Sequence, residues 1–195
     1  AMAKKPLFLL RDSILRQVSA TAYGVSQAIE SGFCYYLGGG MHHGRTNQGA
    51  GFCPLSDIVI AIRKAQRDQG IGKALILDVD AHMGDGTAEV TKGDDSITTV
   101  SLHMAEGWPM GSELNIIPSD YDYPLYPGDE EKYLATLKSA LDKFEHEKFD
   151  LIFVVNGADP YELDELKSSE GIQLTKEQLL ARDMMIYKWA RENQT

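Results

Sequence analysis

The stretch Ala74-Leu75-Ile76-Leu77-Asp78-Val79-Asp80-Ala81-His82-Met83-Gly84-Asp85-Gly86-Thr87 changes character halfway. Ala74 to Leu77, with Val79, is an apolar run of the kind that fills a strand buried on both faces of a parallel sheet. Asp78, Asp80, His82 and Asp85 follow at once, with Gly84 and Gly86 to bend the backbone. Side chains alternate along a strand, so an extended 78–82 segment points Asp78, Asp80 and His82 the same way. Two carboxylates and an imidazole at the end of a buried strand need a counter-charge. A divalent cation supplies one, and carboxylate plus histidine is an ordinary donor set for it. The competing reading is a polar, glycine-rich turn after a core strand.

The flanking sequence alternates between helical and strand patterns. Ile14, Leu15, Val18, Ala22, Val25 and Ile29 recur at helical spacing over 11–30, and Gly32 is a stop. Phe33 to Leu37 is short, aromatic and apolar, which predicts a strand. A glycine-rich loop over 38–51 carries His42 and His43. Leu55-Ser56-Asp57 reads as a cap for a helix bearing Ile58, Val59, Ile62 and Ala65 and ending at Gly70. A short helix over 87–90, a strand over 97–102, an irregular proline-rich region over 104–128 with one short strand, and a helix over 129–147 are expected next. A strand over 150–155, a polar loop over 156–173 and a last helix capped by Thr175 and Gln178 complete the pattern. The expectation is an α/β fold with a mainly parallel sheet flanked by helices, and one domain over 1–195.

Ligands in such sheets gather beyond the carboxyl ends of the strands. That rule selects His42 and His43, Asp78 to Asp85, Ser101 to His103, and Asp159, each after a different expected strand. Asp80 and His82 offer two metal ligands, and Asp159 is the best third, although Gly157-Ala158-Asp159-Pro160 also reads as a turn. The oxygen-rich set is compatible with Fe2+ or Mn2+ as well as Zn2+. Asp78 and Asp85 are then free to back the histidines as His42–Asp78 and His43–Asp85 pairs. A metal-activated water beside a proton-relaying histidine is machinery for amide hydrolysis.

A net charge of −10 argues against direct nucleic-acid binding. No apolar run reaches the ~18 residues of a membrane span. Cys34 and Cys53 both have apolar neighbours, which predicts two buried thiols in a reducing, cytoplasmic setting.

Gly38-Gly39-Gly40-Met41-His42-His43, Gly51-Phe52-Cys53, the 77–87 stretch, Ser101-Leu102-His103 and Gly157-Ala158-Asp159 occur in this order. Together they resemble the zinc-dependent histone deacetylase family, including its bacterial acetylpolyamine and acetoin-utilisation members. The resemblance spans about residues 30 to 190 and implies the arginase–deacetylase fold. It implies Zn2+ at Asp80, His82 and Asp159, and paired catalytic His42 and His43 with Asp78 and Asp85 behind them. It also implies a structural K+ at Asp78, Asp80, His82, Ser101 and Leu102. Gly51, Phe52 and Trp108 would line a tunnel for an acyl-lysine or acyl-amine stem, where plain core packing is the alternative for Phe52 and Trp108.

Met83 stands where many family members carry a second histidine. The family's domains also continue into a glycine-rich loop bearing an oxyanion-binding tyrosine, and they begin before the helix at 11–30. The resemblance therefore implies a domain incomplete at both ends, reduced activity, and self-association or a partner chain over the uncovered surface. Two other classes compete. A binuclear manganese ureohydrolase would need an aspartate where Gly84 stands, and a metal-binding interaction module would need no turnover.

Overall fold

The computed structural model describes residues 10–193. Helix α1 (Arg11–Ser31) turns Ile14, Val18, Thr21 and Val25 inward and stops at Gly32, whose φ of 83° suits glycine and whose N–H donates to Ala28 O at 2.7 Å. Helix α2 (Asp57–Gln69) buries Ile58, Val59, Ala61, Ile62 and Ala65 and ends at the left-handed Gly70. Strand β1 (Ala74–Asp78), helix α3 (Asp85–Thr91), and strands β2 (Ile97–Met104) and β3 (Tyr121–Leu125) follow. Helix α4 (Tyr133–Asp142), strand β4 (Leu151–Val155) and helix α5 (Lys176–Asn193) complete the described chain.

The four strands are parallel in the order β3-β2-β1-β4. β1 is interior and every one of its residues is buried, which is why its sequence is continuously apolar up to Asp78. Period-two alternation divides its side chains between two cores. Leu75 and Leu77 join Val100, Leu102, Tyr133, Leu137, Leu141, Ile186 and Trp189 on the α4/α5 side. Ala74 and Ile76 join Val25, Ile58, Ile62, Ile97 and Val155 on the α1/α2 side. Each large side chain buried in this way contributes about 1.5–3 kcal/mol relative to exposure, so β1 sits where both layers can cover it.

Four expectations need correction. Residues 33–37 form no strand. Phe33, Tyr35 and Leu37 are exposed, because the segment leaves Gly32 for the positive-φ run Gly38-Gly39-Gly40 and meets no partner strand among the described residues. Cys34 in that segment is accordingly exposed, whereas Cys53 is buried and burial pushes its thiol up to about 12. The helix expected over 129–147 begins as a 3-10 turn at Glu130–Lys132 and stays α-helical only over Tyr133–Asp142. Phe144 still reaches the core through a further turn in which its N–H donates to Leu141 O at 3.0 Å. Ser56 makes no side-chain cap, and Asp57 turns inward instead. The Thr175–Gln178 capping box does form: Gln178 N–H donates to Thr175 Oγ1 at 3.2 Å and Thr175 N–H to Gln178 Oε1 at 2.9 Å.

Candidate active site

The strand order reverses at β1: the chain moves outward through β2 and β3, then returns as β4 on the other side. The crevice beyond the carboxyl ends of β1 and β4 is therefore a topological switch point, the usual ligand position in such sheets. Val79 N–H still donates to Val155 O at 3.0 Å, and there the ladder ends. Two local turns replace the extended segment expected as far as His82. Asp80 N–H donates to Asp78 Oδ1 at 3.1 Å, and His82 N–H donates to Asp80 Oδ1 at 2.9 Å.

The β4 loop brings Asp159 to this turn, where its Oδ1 accepts Ala81 N–H at 3.0 Å. His82 Nδ1 lies 2.8 Å from Asp159 Oδ2 and 3.2 Å from Asp80 Oδ1. One donor atom from each of Asp80, His82 and Asp159 lies within 4.8 Å of the others, a set suited to a divalent cation. Gly157 makes the approach feasible, since a Cβ there would lie 2.6 Å from Asp80 Cα. Arg182, buried on α5, donates through Nη1 to Gly157 O at 2.9 Å and Val79 O at 3.3 Å, tying the two loops together.

His42 and His43 do not follow a strand; they come from the α1–α2 loop. Asp57 holds that loop, accepting Met41 N–H at 2.7 Å, Gly40 N–H at 3.1 Å and the Thr21 hydroxyl at 2.5 Å. His42 Nδ1 lies 2.7 Å from Asp78 Oδ2, and His43 Nδ1 lies 2.7 Å from Asp85 Oδ1. An ionised carboxylate only accepts, so each Nδ1–H donates and each Nε2 is left for other work. Arg45, also buried, pairs with Asp85 and Glu89 and donates to Asn115 O at 2.6 Å.

The two imidazoles are 3.8 Å apart between ring centroids yet differ in proton affinity. Burial opposes a charge on His42, but Asp78 and Asp80 outweigh it and push the group up to about 10. Burial and the neighbouring His42 push His43 down to about 4, against the pull of Asp85. Burial likewise opposes a charge on His82, and its bonds to Asp159 and Asp80 prevail, raising it to about 9. Asp80 is held well below the usual carboxylate range because His42 and His82 overcome its burial.

Trp108 packs against this cluster, its ring centroid 4.4 Å from that of His43 and 5.8 Å from that of His82. Gly51, at φ 46°, lies beneath, where a Cβ would overlap Trp108 and His43. Phe52, at φ 63°, is 77% exposed and takes no part in the core. Ser101 faces Asp78 in the β1–β2 register, and its buried hydroxyl has no partner among the described residues. Leu102 points its side chain into the opposite core. His103 does not join the cluster. Its Nδ1–H donates to Met104 O at 2.8 Å, and its ring lines a separate cavity of about 310 Å3 with Met83, Met110 and Asp122.

Arg45, Arg182 and Ser168, whose hydroxyl meets His82, escape a reading of the sequence, as does the loop-holding role of Asp57. Only Arg182 leaves a signal, as a charge on the stripe that also carries Leu179, Ile186 and Trp189.

Fold and site together define an α/β domain of the arginase–deacetylase type. The crystal structure of an HDAC homolog from Aquifex aeolicus matches it with a TM-score of 0.80 at 20% identity, over 93% of this chain and 51% of that one. The histone deacetylase domain family matches residues 9–195. An uncharacterized protein of Picosynechococcus sp. is 35% identical over 154 residues, 78% of this chain and 50% of its own length. Histone deacetylase 2 of Arabidopsis thaliana is 28% identical over 196 residues, 96% of this chain and 49% of its own. The chain belongs to the histone deacetylase family, and it spans about half the length of these curated relatives.

Proposed function

We propose that this chain carries the hydrolytic centre of a metal-dependent deacetylase, removing an acetyl or related acyl group from a lysine or polyamine nitrogen. One observation carries the reading: the Asp80–His82–Asp159 cluster converges with two buried histidines, each backed by an aspartate. A metal-binding module needs the cluster alone, whereas amide hydrolysis also needs placed proton donors and acceptors.

Bound at the cluster, Zn2+ (or the similarly ligated Fe2+ or Mn2+) would supply Lewis acidity that polarises an amide carbonyl and acidifies water. His43 is neutral at physiological pH, so its Nε2 takes the proton released as water attacks the carbonyl carbon. Asp85 holds the ring through Nδ1–H and steadies the imidazolium that results. The same Nε2–H then protonates the departing amine as the C–N bond breaks. His42, held by Asp78 through its Nδ1–H, is assigned as the partner of His43 in moving protons. Trp108, Gly51 and Phe52 are assigned to the aliphatic stem of the substrate. Ser101 Oγ, with Asp78, Asp80 and groups at His82 and Leu102, is assigned to a structural K+.

A second metal is disfavoured at Gly84, which offers no ligand and where a Cβ would overlap Asp78 Oδ2. We read the protein as cytoplasmic from its two free cysteines; no helix among the described residues is long and apolar enough to cross a membrane. Its net charge of −10 speaks against direct nucleic-acid binding, and its exposed apolar surface favours self-association.

Elemental analysis of chelator-free protein should find about one transition metal per chain, lost in Asp80→Ala. On the metal-loaded protein, an acetyl-lysine peptide assay should show turnover that His43→Ala lowers by at least ~10². Two metals, or none, would overturn the reading. One metal without turnover would leave the non-catalytic module in its place.

A further inference from the structure

We propose that Ser168 is a positioning residue for His82: its hydroxyl accepts the His82 Nε2–H and so keeps Nδ1 turned toward the cation position it would share with Asp80 and Asp159. The inference rests on the metal-binding reading above.

Ser168 Oγ lies 3.1 Å from His82 Nε2, on the ring edge opposite the one facing the two carboxylates. A neutral imidazole carries one N–H, so ligation through Nδ1 requires the proton on Nε2. The His82 side chain is only 6% exposed, so an Nε2–H without an acceptor would be poorly solvated and the ring free to turn. An acceptor at this edge selects the ligating tautomer and fixes the ring plane.

Ser168 owes its place to its own turn, 86 residues further along the chain. It sits within the 3-10 turn Lys167–Ser169. The neighbouring Ser169 is buried and donates its hydroxyl to Leu166 O at 2.6 Å, while Leu166 N–H donates to Asp164 Oδ1 at 2.8 Å. Ile172 N–H closes the far side on Ser169 O at 3.2 Å. The chemistry of a hydroxyl also suits the site. Asp80 and Asp159 already neutralise a divalent cation, so an uncharged acceptor orients His82 without adding negative charge.

The test is zinc affinity, measured on the full chain by competition with a chelator, for wild type, Ser168→Ala and Ser168→Thr. Ser168→Ala should bind zinc about 10-fold more weakly. That is the lower end of the range for such partners, since Ser168 is itself exposed and water can partly replace it. Ser168→Thr, which keeps the hydroxyl, should restore the affinity. Nitrogen NMR of the zinc-loaded protein should show His82 Nε2–H exchanging faster in the alanine variant, with metal-free thermal stability unchanged. Wild-type affinity in Ser168→Ala would overturn this inference and leave the metal site standing. An equal loss of metal-free stability would make Ser168 structural instead. A wild-type chain that binds no zinc would overturn the metal reading and this one with it.

Discussion

His42 and His43 are adjacent, share one loop and each face an aspartate, yet they hold protons on opposite sides of neutrality. The difference comes from what else is near. On His42 the carboxylates of Asp78 and Asp80 outweigh burial, whereas His43 also feels the charge of His42 and meets Trp108 edge-on. This has a consequence for stability in the metal-free protein. His43 has a folded pKa near 4 against about 6.5 when unfolded, so between those values the unfolded chain binds a proton that the folded chain refuses. Stability contributed by His43 is fully present above pH ~6.5 and falls as pH drops toward ~4, by at most about 3 kcal/mol. His42 adds nothing in that window, because it is protonated in both states there. Urea denaturation at the two ends of the window should show the loss in wild type and a smaller one in His43→Gln. Equal losses would contradict it. Both His–Asp pairings could be read from residue types alone, because a buried imidazole and a spare carboxylate seek each other. The opposite protonation could not, since it depends on burial and on charges from other parts of the chain.

At the scale of elements, the loop carrying His42 and His43 is held by α2 rather than by a strand. Asp57, fully buried, accepts two loop N–H groups and the Thr21 hydroxyl, so α1, the loop and α2 share one hydrogen-bonded node. Asp57→Ala would leave the Gly40 and Met41 N–H groups without an acceptor, each at a cost of about 1–3 kcal/mol, whereas the Thr21 hydroxyl keeps Gln17 O at 3.2 Å. The expected outcome is a stability loss of about 2–4 kcal/mol by urea denaturation, with metal content retained because Asp80, His82 and Asp159 lie on other loops. A loss under 1 kcal/mol would mean that water replaces the carboxylate. Helices α1, α2 and α5 and strands β1, β2 and β4 were legible from periodicity, and Thr175–Gln178 from its capping signature. The strand expected at 33–37 failed because aromatic β-propensity expresses packing against a neighbouring strand, and here no neighbour exists among the described residues. Asp57 reads in the sequence as part of a helix cap because nothing local marks a carboxylate that serves a loop before its own helix.

At the scale of the whole molecule, several apolar groups are exposed among the described residues. β4 pairs only with β1 among the described residues, leaving an edge with Ile152, Phe153 and Val154 half-buried. Phe33, Tyr35, Leu37, Leu163, Leu180, Met184 and Tyr187 are exposed as well. Open edges and apolar patches of this kind favour association. Light scattering should therefore give a mass above 21.6 kDa that rises with concentration. A constant monomer mass across concentration would refute this.

The sequence by itself determined the parallel α/β layering, the interior place of β1 and the residue types that surround its carboxyl end. Each of these is encoded within a few neighbouring residues, by periodicity, by glycine placement or by clustered charge. Only the tertiary structure decided that the histidine loop hangs from Asp57, that Arg182 clamps the β1 and β4 loops, and that Ser168 meets the far edge of His82. These contacts join residues distant in the chain, and their strength depends on burial that no local pattern carries.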